Sequence, residues 1–153
     1  MIRTPHDYEE AVRRLHQTRD FAEKQHAALV ASGLAPEYVD LAMSPTHALL
    51  DQMQGEIDWY ESARAGMVRP VPRLTDIGLS LIALRLARGL TQRQLAERLG
   101  VNEAQVSKDE RNEYHGISVK RAQRILDALD GSVTVTVAPR ASAATTPEPV
   151  QAR

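Results

Sequence analysis

The sequence predicts a mainly α fold: an N-terminal helical hairpin, a group of four short helices, and one β-strand after them. Three observations carry this expectation. Apolar residues recur at helical spacing in two long runs, residues that start and stop helices bracket each predicted element, and one later stretch alternates β-branched and polar side chains as a strand does.

The hairpin is assigned to residues 1–66. Thr4-Pro5-His6-Asp7 places an N-cap hydroxyl, a proline at the first helical position and a carboxylate at the third, a strong helix start. Tyr8, Val12, Leu15, Ala22 and Leu29 then form an apolar stripe, and Gly33 suits a left-handed C-cap. A short helix is expected from Pro36 to Met43. Ser44-Pro45 restarts the pattern with Leu49, Met53, Ile57 and Tyr60 on one face and Gly66 as its stop. Trp59-Tyr60 reads as hairpin core plus rim, and an exposed aromatic there would anchor a protein partner. Residues 67–74 form the linker, because the two prolines of MVRPVPR each deter helix at themselves and at the preceding residue.

The second domain is assigned to residues 75–131. Its helices end at Gly89 or run from Thr91 to Gly100, Asn102 to Arg111 and Ser118 to Leu129. Thr91 and Gln94 make a T-x-x-Q capping box, and Asn102 and Ser118 are N-cap types. Gly100-Val101-Asn102 is so short a connection that the helices on either side must cross steeply, as in a helix-turn-helix. In the first of the four helices Ile77, Leu81 and Leu84 lie nearly opposite Leu79, Ile82 and Leu86. One stripe faces the four-helix core, so the other requires a cover, either the hairpin or a second subunit.

Arg85, Gly89-Leu90-Thr91-Gln92, Leu95-Ala96, Leu99-Gly100-Val101, Val106-Ser107 and Glu110 together resemble the Xre-type, lambda-repressor-like (Cro/cI) helix-turn-helix family over about a third of the chain. The resemblance implies that the third helix of the domain enters the DNA major groove. It assigns base reading to Glu103, Ala104 and Lys108, phosphate positioning to Gln92, Gln105, Ser107 and Arg111, and a structural ion pair to Arg85 and Glu110. At about 100° per residue, Glu103, Ala104, Ser107, Lys108 and Arg111 share one half of that helix, while Gln105, Val106, Asp109 and Glu110 take the other. Glu103 is then the one acid on the reading side, where it suits a cytosine amino group and repels badly registered phosphates. Asp109 departs from the family pattern, which usually has an apolar residue there, and either weakens core packing, shares Arg85 or caps something in the loop that follows. In that loop Tyr114 touches a phosphate or packs inward.

Val133, Val135 and Val137 alternate with polar residues, predicting a strand over 132–138. No other stretch reads as a strand, so its expected partner is the same strand in a second copy, with a strand folded on its own helices as the alternative. Two reading helices held this way fit a palindromic double-stranded operator. Residues 139–153 are small, polar and proline-containing, and a disordered tail is expected there. The order of hairpin, helix-turn-helix and strand resembles HigA-type antitoxins of toxin–antitoxin operons. That resemblance implies repression of the operon and neutralisation of a cognate toxin. A stand-alone regulator, or an interaction protein whose helix-turn-helix is mainly a dimer scaffold, has the same layout.

Composition narrows the chemistry. Cysteine is absent, so disulfides, thiolate metal sites and cysteine nucleophiles are excluded. Absence of a signal peptide or membrane span predicts a cytoplasmic protein with no membrane partner. His6, His16 and His26 stand too far apart along a helix to share an ion, and His47 with Asp51 is an ordinary surface pair, so no metal or other cofactor and no catalytic site are expected. Net charge is −1 overall, but residues 1–72 carry 7 Lys+Arg against 11 Asp+Glu, and residues 73–131 carry 10 against 8. The basic excess coincides with the helix-turn-helix.

Overall fold

The computed structural model of the chain describes residues 1–71 and 73–136. Two long helices, α1 (Pro5–Ala31) and α2 (Pro36–Arg64), form an antiparallel hairpin. A 3-10 turn (Leu74–Asp76) leads into α3 (Ile77–Ala87), α4 (Gln92–Leu99), α5 (Glu103–Arg111) and α6 (Val119–Ala128).

The sequence signals sit where the helices begin and end. The Thr4 hydroxyl accepts the Asp7 N–H at 3.1 Å while the Asp7 carboxylate accepts the Thr4 N–H at 3.1 Å, closing a capping box. Thr91 and Gln94 make the same reciprocal pair on α4, and Asn102 and Ser118 each cap the helix they precede. Gly100 ends α4 at φ 67°, a conformation that lets the chain turn directly into α5.

α2 corrects one expectation. The chain does not break near Ser44-Pro45; a single helix runs through Pro45. Val39 and Met43 before the proline, and Ile57 after it, are buried along one line of α2, so a kink would lift part of that line off α1. Pro45 lies roughly 120° from that line at the standard helical step, and it is exposed.

The hairpin is anchored on the helical domain at one end. Ile2, Leu15, Ile57, Tyr60 and Ala63 share one core with Leu81, Ile82, Leu86, Leu95, Val106, Ile125 and Leu129. Tyr8 stacks on Tyr60 at a centroid distance of 5.1 Å and donates its hydroxyl to Glu61 at 2.6 Å. The second apolar stripe of α3 is thus covered by the chain's own hairpin, and Trp59 packs half-buried against the same core. Gly78 is also required here: a β-carbon on it would collide with the backbone carbonyl of Glu113.

The far half of the hairpin is different. Only Ala22, Val39 and Met43 form its buried cluster. Thr46 bonds Gln25 and Arg19 bonds Gln54, which sets Phe21 across from the Leu49 region of α2. On either side of the shared core line, helical geometry gives the hairpin two unlike sides. One is polar, with Arg19, Glu23, His26, Asp40 and His47 around a shallow groove. The other carries Phe21 at 63 % exposure, Tyr38 at 60 % and Leu49 at 48 %.

Residues 67–71 carry no regular secondary structure, while Leu74 at the end of the expected linker already begins the 3-10 turn. No strand is present among the described residues. Residues 132–136 run without regular structure beside α6, with Val133 and Val135 exposed. A lone strand has no ladder partner within one chain, which is the physical reason the alternation leaves no strand here. Val137 and the expected tail at 139–153 lie outside the described residues.

Candidate nucleic-acid interface

α4 and α5 meet across Gly100-Val101-Asn102, and α5 is held from behind. Val106 is buried against the core, and Glu110 points the same way. Glu110 is 0 % exposed and Arg85, on α3, only 2 %. The Arg85 guanidinium donates to the two Glu110 oxygens at 2.5 and 2.7 Å, a bidentate fork. Two of its three remaining donors reach the Leu90 carbonyl at 2.7 Å and the Arg3 carbonyl at 3.0 Å. The Gln92 amide adds a bond to Glu110 at 2.8 Å. One buried group therefore ties α3, the start of α4, α5 and the short segment before α1.

With Glu110 and Val106 inside, the opposite side of α5 faces outward. Glu103, Ala104, Lys108 and Arg111 are exposed and Ser107 is half-buried. Lys108 and Arg111 take part in no ion pair among the described residues. Asp109 turns away to pair with Arg121 of α6 and accepts the Gln105 amide at 2.8 Å. Of its expected roles, sharing Arg85 is not what the structure shows, since Arg85 bonds Glu110, Leu90 and Arg3. Asp109 instead braces α5 against α6, and its own backbone carbonyl accepts the Tyr114 N–H at 2.8 Å, tying down the start of the loop.

Gln92 and Gln105, which the resemblance implies as phosphate contacts, each spend one amide hydrogen inside the domain. An amide has two such hydrogens, so each keeps one for a ligand. Gln92 is also the first residue of α4, where a backbone N–H and the helix dipole favour an anion. Tyr114 packs inward at 5 % exposure, and burial pushes its phenol well above the ordinary range, so it stays neutral. It props the loop against Gly78 rather than reaching outward.

Two sets of residues had no clear sequence signal. Arg88 donates to the Leu129 and Asp130 carbonyls at 3.0 and 2.6 Å, and Arg98 to the Ala128 carbonyl at 2.8 Å, so two cations cap the end of α6. Arg3 reaches from the start of the hairpin to the end of α5, where its Nη2 lies 3.4 Å from the Arg111 carbonyl. A pairing across 108 residues leaves no local pattern to read.

Removing one partner of the Arg85–Glu110 fork strands a buried charge. Glu110→Ala is expected to cost about 3–5 kcal/mol in a urea melt. A loss below about 1 kcal/mol, the size of an exposed pair, would mean the fork is not buried in solution.

No curated protein and no solved structure matches the chain. Residues 81–135, a little over a third of the chain, match the family model described as helix-turn-helix, so the stretch from α3 through α6 is a helix-turn-helix domain.

Proposed function

We propose that the protein is a sequence-specific, homodimeric DNA-binding repressor. α5 enters the major groove; Lys108, Ala104 and Glu103 read base edges, while Gln92, Gln105, Ser107, Arg111 and the start of α4 position phosphates. The observation that carries this reading is the sorting of charge on α5. Two of its three carboxylates, Asp109 and Glu110, are engaged by arginines behind the helix, and its two cations face outward unpaired among the described residues. A solvated surface helix has no need of that separation. The modest basic excess and the outward Glu103 favour selectivity over tight general binding.

In the dimer, residues 132–138 of two copies pair as strands, which would supply the ladder that one chain lacks. The two α5 helices then address half-sites one turn of DNA apart.

A second layer of the reading is an antitoxin that represses its own operon and neutralises a toxin. It is favoured by the two-sided hairpin: an exposed apolar side with Phe21 and Leu49, on a segment carrying 7 Lys+Arg against 11 Asp+Glu, suits a basic protein partner.

Lys108→Ala is expected to weaken binding to the promoter fragment of the protein's own gene by about 1–3 kcal/mol and to leave binding to random DNA nearly unchanged. Fluorescence anisotropy on both duplexes measures this, and an equal loss on the two would reassign Lys108 to the backbone. For the antitoxin layer, the double variant Phe21→Glu with Leu49→Glu should abolish co-purification with the product of the adjacent gene while promoter binding persists. Retention of that product by the variant removes the apolar side as its docking surface.

A further inference from the structure

We infer that Arg3, which lies outside the helix-turn-helix stretch, is a further DNA-phosphate contact, so that the DNA-binding surface continues onto the segment before α1. The inference rests on the DNA-binding reading above.

The backbone of Arg3 is fixed independently of its side chain. Its N–H donates to Asp7 at 3.2 Å, its carbonyl accepts Arg85 at 3.0 Å, and the adjoining Ile2 is buried in the shared core. The side chain then crosses the end of α5. Nη2 meets the Arg111 carbonyl at 3.4 Å and Nη1 the Met1 carbonyl at 3.3 Å, both long and both to neutral acceptors. Nε has no hydrogen-bond partner. Nε is buried, so of the hydrogens that can reach a ligand Nη1 and Nη2 each keep one unclaimed.

The carboxylates around Arg3 are engaged elsewhere: Asp7 accepts the Arg3 and Thr4 backbone N–H groups at the start of α1. Arg3 forms no ion pair among the described residues. Glu110 is consumed by Arg85 and Gln92. Glu56 is held below its usual range mainly by its bond to the Met1 amine, with Arg3 contributing least, and it pairs with that amine at 2.8 Å. Half-buried, bonded only to carbonyls and beside Arg111, which has no ion pair among the described residues, Arg3 can still take an anion.

Its position supplies the candidate. Gln92 at the start of α4 touches Glu110; Glu110 holds Arg85; Arg85 holds the Arg3 carbonyl; and Arg3 reaches Arg111. Arg3 and Arg111 therefore meet at the end of α5, and Gln92 is joined to them through Glu110 and Arg85. A phosphate strand that runs from the start of α4 past the end of α5 would meet Arg3, and the planar fork of an arginine suits two phosphate oxygens. The Arg111 carbonyl at the end of α5 attracts a cation as the end of α6 attracts Arg88 and Arg98, so a helix-capping role is the alternative that the test must separate from a phosphate contact.

The test is the salt dependence of binding by the full-length chain to its own promoter fragment and to random duplex. Arg3→Gln, and Arg3→Met as a variant that keeps the aliphatic stem, should each lower the slope of log K against log salt by about 0.9 on both duplexes. The wild-type advantage then shrinks by about 3.5-fold between 50 and 200 mM salt by the same relation. Arg3→Lys should keep the wild-type slope despite losing the fork. Thermal melts run alongside separate a folding role. An unchanged slope in both neutral variants, with or without a lowered Tm, overturns the contact. Absence of DNA binding by the wild-type chain at low salt overturns the DNA-binding reading itself, and the two failures are thereby distinguished.

Discussion

Arg85 and Glu110 exclude water from their ion pair, and the placement of α5 depends on that pair. A buried fork of this kind gives little net stability over an apolar pair of the same volume, because desolvating two charges offsets much of their attraction. Its effect is on geometry. The guanidinium is rigid and its donors point in fixed directions, so Glu110 can be satisfied only with α5 at one rotation and one distance from α3. Leu90, Gln92 and Arg3 occupy the remaining sites of the pair, so the start of α4 and the start of the hairpin are positioned by the same group.

The same constraint gives a nearly neutral chain a cationic edge. Every carboxylate drawn inward or backward on α5 changes the balance on the outward side without any change in composition. Glu110 is neutralised inside, and Asp109 is taken by Arg121. Arg88 and Arg98 are engaged in capping the end of α6. The proposed reading surface thus depends on a few cations whose competitors have been removed, which suits selective binding better than general attraction to phosphate.

Much of this was legible in the sequence because it is local. The caps at Thr4, Thr91, Asn102 and Ser118 act within three residues, and a helical step places Val106 and Glu110 on one side of α5 without reference to anything else. The run through Pro45 was not legible, since propensity predicts a break and the packing of Val39 and Met43 against α1 overrides it. Arg3 and Arg121 escaped for a related reason. Each finds its partner through the tertiary fold, and a lone arginine in sequence carries no mark of where it will reach. The alternating valines show the opposite failure: the local signal is clear, but a strand needs a ladder that a single chain does not provide.

The most direct test of the central claim is chemical-shift mapping of the isotope-labelled chain on titration with the promoter fragment of its own gene. The account predicts that amide signals of residues 103–111 and of the first turn of α4 move most, while those of the far half of the hairpin stay in place. Perturbation confined to α1 and α2, or none in α5 at low salt, would contradict it.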